Sequence, residues 1–269
     1  MHTTLTLTPG QSELIARRAA AVQDMNQPPQ NLEFPPELLA LRDKILAVID
    51  REGLVVISGF TGDYDPVMVY LMSLVGTPWR DEKAGPMVMD IKPIKHEMSV
   101  ETTSYYSWNN FDYHTDLQYI DEPPDFIAII CVTPDANGEG RSIFADIRAA
   151  VRDLSPQTLA ELQKPNFIFK APLHYKGGLV ARKPILDRNA RGEFLVRVRF
   201  DRASTDTPEA EAALQELSAA FDKNRIEFLV NKNEAYIIDN RRIVHGRTPF
   251  SPTFSDSDRH LKRILGIRR

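Results

Sequence analysis

Two neighbouring stretches near the C-terminus decide the fold: EAYIIDNRRIVHGRTPF at residues 234–250 and DRHLKRILGI at residues 258–267. The first begins with an apolar run and the second alternates apolar and basic residues, and both patterns are typical of β-strands. His245 lies between the two predicted strands. The sequence therefore predicts a β-rich C-terminal region with His245 at the junction of two strands.

The middle of the chain continues this pattern toward the N-terminus. Short apolar or alternating runs are separated by proline, glycine, asparagine and aspartate, which is the rhythm of antiparallel strands. These runs are PMVMDI (86–91), FDYHTDLQYI (111–120), DFIAIICV (125–132), RSIFADI (141–147), NFIFKAPL (166–173) and EFLVRVRF (193–200). Many short strands of this kind predict a sandwich or barrel of the jelly-roll type.

Helices are predicted before and within this β region. Apolar spacing indicates a helix over 35–52, a buried strand over 54–60 and a second helix over 65–76. Ser155 and Thr207, each followed by proline, suit the N-caps of two later helices. We therefore expect one mixed α+β, mainly β domain over 1–269. It would comprise an N-terminal α/β portion at about 1–85 and a double-stranded β-helix core at about 86–269, with a helical insert at about 155–225.

Composition excludes several classes of protein. The 269 residues are 42% hydrophobic and 26% charged, with a net charge of -4, which argues against a disordered chain and against nucleic acid as a partner. The single cysteine, Cys131, cannot form an intrachain disulfide. No apolar run approaches the ~20 residues that span a bilayer, and MHTTLTLTPGQ does not resemble a signal peptide. We expect a cytoplasmic protein that binds a small molecule.

The strongest chemical signal is a histidine and an aspartate one residue apart. His114 and Asp116 lie in FDYHTDLQY, where a predicted strand would direct both side chains to one face. His245 could complete a 2-His-1-carboxylate triad, which leaves coordination positions open on non-heme Fe(II). Taken alone, an H-x-D triplet occurs by chance and a single histidine is more often structural. The surrounding residues decide between these interpretations.

Two arginines follow His245 at a regular spacing. Arg259 comes 14 residues after it and Arg263 comes 18 after it, both within an alternating strand pattern. Their even separation places them on one face of a strand. A guanidinium buried inside a barrel needs an anionic partner, and arginine pairs well with carboxylates. The alternative is a solvated basic edge strand.

Together these features resemble the Fe(II)/2-oxoglutarate-dependent dioxygenases of the taurine dioxygenase and clavaminate synthase-like superfamily. The resemblance runs from about Phe111 to Arg263, and its strongest part is DNRRIVHGRTPF followed by DRHLKR. It implies that His114, Asp116 and His245 bind Fe(II) and that Arg259 binds the distal carboxylate of 2-oxoglutarate. Ser142, in EGRS, takes the place of a hydroxyl donor to the same carboxylate. The implied reaction uses O2 and yields succinate, CO2 and a hydroxylated C–H bond.

The resemblance also predicts substrate contacts. Amino-acid-oxidising relatives carry an R-(Y/F)-D segment, and VRVRFD offers Asp201 for an ammonium or guanidinium group, with Arg263 for a carboxylate. Glu97, Trp108 and Asn110 precede the H-x-D strand and could form a lid. The expected substrate is zwitterionic, most simply a free L-amino acid. Relatives that act on free amino acids often carry glutamate where this chain has Asp116, so sulfonates, other carboxylates and natural-product intermediates stay open as substrates.

The same residues also allow other functions. Asp116 disfavours halogenation, because halogenating relatives lack this carboxylate, while desaturation and cyclisation use the same triad. A cupin-like zinc site for hydrolysis or isomerisation would not need a buried arginine at position 259. A non-catalytic jelly-roll binding protein would keep the metal residues only as a scaffold and would form no succinate.

Overall fold

A computed structural model describes residues 2–80, 85–95, 106–171, 178 and 180–269. The helices are α1 (Pro9–Ala19), α2 (Pro36–Glu52), α3 (Tyr64–Val75), α4 (Ile147–Ala150), α5 (Pro156–Leu162) and α6 (Pro208–Lys223). The strands are β1 (Thr3–Thr6), β2 (Leu54–Ser58), β3 (Thr77–Trp79), β4 (Met89–Ile91), β5 (Phe111–His114), β6 (Phe126–Thr133), β7 (Ser142–Asp146), β8 (Phe167–Lys170), β9 (Val180–Lys183), β10 (Leu186–Arg188), β11 (Phe194–Val196), β12 (Ala203–Thr205), β13 (Ile226–Phe228), β14 (Glu234–Asp239), β15 (Ile243–Arg247) and β16 (His260–Ile267).

Two sheets form the body of the fold. The larger has the order β1-β2-β14-β6-β16-β3, with β4 also paired to β16, and the smaller has the order β13-β7-β15-β5. Pairing in both is antiparallel except between β1 and β2. Apolar side chains from both sheets meet in one core layer, including Ile129 and Tyr236 from the larger sheet and Phe144 from the smaller. This is the jelly-roll architecture predicted from the sequence.

The continuous apolar runs have a simple explanation in this architecture. Successive residues of a strand point to opposite faces of the sheet. In β6, Ile127 and Ile129 pack between the two sheets, whereas Ala128 and Ile130 pack beneath the N-terminal helices. Both faces of the larger sheet are therefore covered, and a strand buried on both faces reads as an unbroken apolar run.

Local signals placed most of the helices correctly. Gly53 ends α2 in the left-handed conformation with φ of 76°. Ser155 and Thr207 accept hydrogen bonds from Thr158 N and Ala210 N, as N-cap residues do. The region 155–225 contains α5 and α6 but also β8 to β12, which form two small sheets of their own. The first elements of the chain, β1 and α1, were not predicted.

The predicted strand 111–120 is shorter than expected. Strand β5 stops at His114, and Asp116 lies in the turn that follows, where Leu117 has a positive φ of 56°. The chain leaves the sheet because Thr115 N donates to Val198 O at 2.8 Å, and not to a neighbouring strand. The expectation that strand alternation aligns His114 with Asp116 was therefore wrong.

Arg242 joins the N-terminal helices to the smaller sheet. Its Nε and Nη2 donate to the carboxylate of Asp146, at the end of β7, over distances of 2.6 to 3.1 Å. Its Nη1 and Nη2 donate to the carbonyl oxygens of Asp50 and Arg51 at the C-terminal end of α2. One buried guanidinium therefore satisfies helix-end carbonyls that have no partner within the helix.

Among the described residues, no helix is long and apolar enough to cross a membrane.

We expect Arg242→Met to lower the free energy of unfolding by about 3 kcal/mol, because it leaves Asp146 and two carbonyls without their partner. Urea denaturation followed by circular dichroism measures this change. Arg42→Met is the matched control, since Arg42 forms an exposed pair with Asp43 and its loss should cost less than about 1 kcal/mol. Equal effects of the two substitutions would contradict this role for Arg242.

Candidate active site

His114 and His245 are direct cross-strand neighbours. They are paired in the register of β5 and β15, and their ring centroids are 4.2 Å apart. Gly246 follows His245 on β15 and allows the backbones of β15 and β5 to approach each other. A Cβ at this position would lie 2.4 Å from Phe111 O and 3.1 Å from Asp112 O. The glycine of the HGR triplet therefore sets how closely the two histidine-bearing strands pack.

Asp116 is held by its backbone, not by a strand. The amide of buried Asn240 accepts from Asp116 N at 2.8 Å and donates to Asp116 O at 3.1 Å. The same Nδ2 also donates to Pro124 O at 2.9 Å. Sequence reasoning missed Asn240, although it directly follows β14 in the stretch DNRRIVHGR.

Three potential metal-binding atoms converge here. Asp116 Oδ1 lies 3.6 Å from His114 Nε2 and 4.0 Å from His245 Nε2, and one ligand atom from each residue lies within 4.8 Å of the others. All three side chains are buried. His114 Nδ1 is 2.9 Å from Asp112 O, a contact in which the ring donates and Nε2 stays free of a proton.

Electrostatics keep both imidazoles neutral. Burial, with a smaller contribution from His245, lowers the pKa of His114 well below its usual value. Burial also lowers the pKa of His245, although the carboxylate of Asp116 opposes that shift. A neutral imidazole is the form that binds a metal ion. The cluster thus offers two neutral nitrogen donors and one carboxylate.

Arg263 contacts the carboxylate of this cluster. Its Nη1 donates to Asp116 Oδ2 at 2.7 Å, and its Nη2 lies 3.6 Å from Met89 Sδ. The two oxygens of Asp116 therefore have different surroundings: Oδ2 faces the guanidinium and Oδ1 faces the histidines. The structure therefore places Arg263 beside the predicted metal ligands. Arg263 also lines the same pocket as Arg259.

A pocket opens beside the histidines. Apolar residues from β4, β6 and β16 form one wall, and arginines form another. Its lining consists of Ile91, Phe111, His114, Ile129, Ser142, Tyr236, His245, Gly246, Arg247, Arg259, Leu261 and Arg263. The four sequence-predicted residues His245, Ser142, Arg259 and Arg263 therefore share one pocket with His114.

Arg259 is buried in this pocket. No carboxylate of the described residues forms an ion pair with it, unlike Arg263. Gly140, at φ of 61°, packs against the side chain of Arg259, and a Cβ there would lie 2.8 Å from its Cδ. Ser142 is buried nearby and lines the same pocket as Tyr236. A buried cation without an anionic partner indicates a binding site for an anion.

Arg247 is a further buried arginine of this pocket, and sequence reasoning missed it. It lies on β15 two residues after His245, so strand periodicity could have pointed to it. Its Nη2 donates to Asn109 O at 2.5 Å. Burial, and then the neighbouring charge of Arg259, lower the pKa of Arg247 to about 9.

The remaining predicted residues that the structure describes are not among the lining residues of the pocket. Asp201 forms a two-armed ion pair with Arg199, at 2.8 and 3.0 Å, and is not among the lining residues. Trp108 packs edge-on against Phe254, with ring centroids 5.2 Å apart. Asn110 is exposed, and Glu97 lies outside the described residues.

An aromatic ring supports the first histidine. Phe111 stacks on His114, with ring centroids 3.9 Å apart. The guanidinium carbon of Arg199 lies 5.3 Å from the centroid of Phe111, and Arg199 forms an isolated β-bridge with His114. These contacts restrict the imidazole to the orientation that presents Nε2 to Asp116.

Comparison with known proteins identifies the family. Residues 23–265 match the family described as "Taurine catabolism dioxygenase TauD, TfdA family". The chain belongs to this family. The match includes the histidines, Asp116 and all three pocket arginines, and it confirms the resemblance noted from the sequence.

Curated relatives of this TauD/TfdA protein include two enzymes from Streptomyces. It is 31% identical to the L-asparagine oxygenase of Streptomyces coelicolor over 190 residues, which is 68% of this chain and 55% of that protein. It is 26% identical to clavaminate synthase 2 of Streptomyces clavuligerus over 197 residues, which is 70% of this chain and 58% of that protein. The chain spans a little more than half the length of these relatives.

Solved structures show the same fold. An asparagine oxygenase in complex with Fe(II), 2S,3S-3-hydroxyasparagine and succinate aligns with a TM-score of 0.85 at 23% identity, over 99% of this chain and 94% of that one. The non-heme iron oxygenase OrfP, in complex with Fe and alpha-ketoglutaric acid, aligns with a TM-score of 0.78 at 21% identity, over 98% and 94%. The predicted jelly-roll fold class is therefore confirmed.

We expect Gly246→Ala to weaken binding of a divalent metal ion by more than tenfold, because the added Cβ would push β5 away from β15 and separate the two histidines. Titration of the metal-free protein with Co(II), followed by visible absorbance, measures the affinity. Gly10→Ala is the control, since nothing lies within 4 Å of a Cβ at that position. Unchanged Co(II) affinity in Gly246→Ala would show that the strand spacing does not control the cluster.

Proposed function

We propose that this protein is an Fe(II)- and 2-oxoglutarate-dependent oxygenase that hydroxylates an unactivated C–H bond of a free L-amino acid or a close derivative. One observation carries the proposal. The buried cluster of His114, Asp116 and His245 adjoins a pocket in which Arg259 has no carboxylate partner among the described residues. The cluster offers ligands for Fe(II), and Arg259 offers a positive charge for a carboxylate of 2-oxoglutarate.

The donor set suits Fe(II). Two neutral imidazoles and one carboxylate form the facial triad of non-heme iron oxygenases, and they leave room for further ligands. Arg263 contributes to this fit, because it engages Asp116 Oδ2 and leaves Oδ1 directed at the histidines. We propose His114, Asp116 and His245 as the iron ligands. Arg263 then orients the carboxylate and balances its charge.

The pocket suits a dicarboxylate. Arg259 supplies a buried positive charge, and Ser142 supplies a buried hydroxyl nearby. We propose that these two groups bind the distal carboxylate of 2-oxoglutarate. A cupin-like zinc site for hydrolysis would have no use for this cation, so the arginine favours the oxygenase over that alternative.

When bound, iron and 2-oxoglutarate use O2 to convert the co-substrate to succinate and CO2 and to hydroxylate the substrate. The chain's own residues hold the reactants in place and keep water away. Ile91, Ile129 and Leu261 form an apolar wall beside the histidines, which limits access of solvent. Phe111 keeps the His114 ring in its orientation.

The substrate class is proposed from relatives and from charge. Relatives include an L-asparagine oxygenase, an L-lysine 3-hydroxylase of Catenulispora acidiphila and OrfP in complex with L-homoarginine. We propose that Arg263, which lines the pocket, contacts the carboxylate of a zwitterionic amino acid. For Asp201 to bind the cationic end, it would have to exchange its partner Arg199. Glu97, Trp108 and Asn110 are proposed as parts of the mouth that closes over the substrate.

We also propose that residues 1–269 form a single oxygenase domain. Pairing of β2 with β14 supports this, because it makes an N-terminal strand part of the sheet that carries Arg263. The contacts of Arg242 with α2 and β7 add a second connection. The N-terminal portion would then support the site without contributing ligands to it.

A panel of common amino acids tests the substrate proposal. With Fe(II), 2-oxoglutarate and O2, at least one polar or basic L-amino acid should raise succinate release above the uncoupled rate. His114→Ala, Asp116→Ala and His245→Ala should each abolish succinate release. Loss of a metal ligand lowers metal affinity by more than the 10 to 100-fold that is typical when a residue supporting a ligand is changed. Stimulation only by a sulfonate, another carboxylate or a carrier-bound compound would contradict the amino-acid assignment. Absence of succinate in every case would favour a non-catalytic binding protein.

We expect Arg259→Ala to raise the 2-oxoglutarate concentration needed for half-maximal rate by more than tenfold, because losing a buried charged partner costs about 2–5 kcal/mol. The requirement for the primary substrate should change much less. Steady-state kinetics with each substrate varied in turn measures both values, and Arg263→Lys provides the comparison. The reverse pattern would assign the co-substrate to Arg263.

A further inference from the structure

The co-substrate pocket contains one cation that the proposed function does not use. Arg247 lines the pocket, and only 5% of its surface is exposed to solvent. Its Nη2 donates to Asn109 O, whereas its Nε is buried and has no hydrogen-bond partner among the residues that the structure describes. A buried donor without a partner costs free energy unless a ligand satisfies it.

Arg247 and Arg259 are close neighbours. Their guanidinium carbons lie 4.9 and 5.9 Å from the centroid of the same ring, Phe250. No carboxylate of the described residues forms an ion pair with either, while Arg263 and Asp116 neutralise each other. The charge of Arg259 acts unfavourably on that of Arg247, and a bound anion would relieve both this repulsion and the loss of solvation.

The strand register brings Arg247 to the proposed carboxylate site. In the pairing of β15 with β7, Arg247 lies opposite Ser142. Ser142 is the hydroxyl proposed to bind the distal carboxylate with Arg259. A carboxylate has two oxygens that can accept from two separate guanidinium groups.

We propose that Arg247 is a second binding residue for the distal carboxylate of 2-oxoglutarate, and that it couples co-substrate binding to the segment 106–110. This inference rests on the proposed function, since it takes 2-oxoglutarate as the ligand. The coupling follows from the contact of Arg247 with Asn109 O and from the hydrogen bond of Phe250 N to Trp108 O at 3.0 Å. The segment continues directly into β5, which carries His114.

The coupling provides an optical signal. Trp108 lies in the segment and packs against Phe254, while the chain's other tryptophan, Trp79, lies on β3. A carboxylate that accepts hydrogen bonds from Arg247 should shift its contact with Asn109 O and so alter the surroundings of the neighbouring Trp108. Binding of 2-oxoglutarate should therefore change tryptophan emission, and Trp108→Phe should remove that change.

The decisive experiment compares two ligands that differ only at the distal end. 2-Oxoglutarate and 2-oxopentanoate, which lacks the distal carboxylate, are titrated anaerobically into the Fe(II)-loaded protein by calorimetry. Arg247→Gln should weaken 2-oxoglutarate by at least about tenfold. It should leave 2-oxopentanoate within about threefold and remove the change in Trp108 emission at saturating 2-oxoglutarate. Arg191→Gln, at an exposed arginine of a separate polar cavity, should change neither affinity.

The outcomes separate this inference from the proposed function. Equal weakening of both ligands in Arg247→Gln would mean that Arg247 only supports the structure, and it would overturn the inference. Loss of 2-oxoglutarate affinity in Arg259→Ala but not in Arg247→Gln would overturn it while leaving the proposed function intact. Failure of the unaltered protein to bind 2-oxoglutarate would overturn both.

Discussion

The site depends on the register of β15 between its two neighbours. With β15 in place, His245 lies opposite His114 on one side, and Arg247 lies opposite Ser142 on the other. A slip of one residue would turn every side chain of the strand to the opposite face. The register is held by packing on both faces, with Ile243 and Val244 buried in separate core clusters. One strand therefore positions His245 against His114 and Arg247 against Ser142.

Charge within the pocket is arranged unequally. Asp116 and Arg263 form a neutral pair beside the histidines, whereas no carboxylate in the described part of the chain pairs with Arg247 or Arg259. The first arrangement fixes the Asp116 carboxylate with Oδ2 on Arg263 and Oδ1 toward the histidines. The second raises the free energy of the empty pocket and thus favours an anionic ligand over a neutral one of the same shape.

Much of the site could be predicted because its residues follow short-range rules. Arg263 falls on β16 as predicted, whereas Arg259 directly precedes that strand and a register shift between His260 and Leu261 interrupts the expected alternation. Both arginines nevertheless line the pocket. The position of Asp116 could not be predicted, because it is set by Asn240 from 124 residues away, and no local pattern encodes such a contact. Arg247 was missed for another reason: His245 was predicted to lie between two strands, whereas β15 carries both residues two positions apart, which places them on one face. The family resemblance supplied roles that alternation alone could not.

The amide clamp on Asp116 bears on how the metal ligand can vary. Asn240 holds both the N–H and the carbonyl of residue 116, in the way a neighbouring strand would. The backbone is thereby fixed at a set distance from the histidines, and that distance determines the length of side chain that fits. A glutamate at this position would carry its carboxylate one methylene too far, into the imidazoles, unless the clamp moved outward. In this chain the clamp thus matches the position of the backbone at residue 116 to the length of an aspartate side chain.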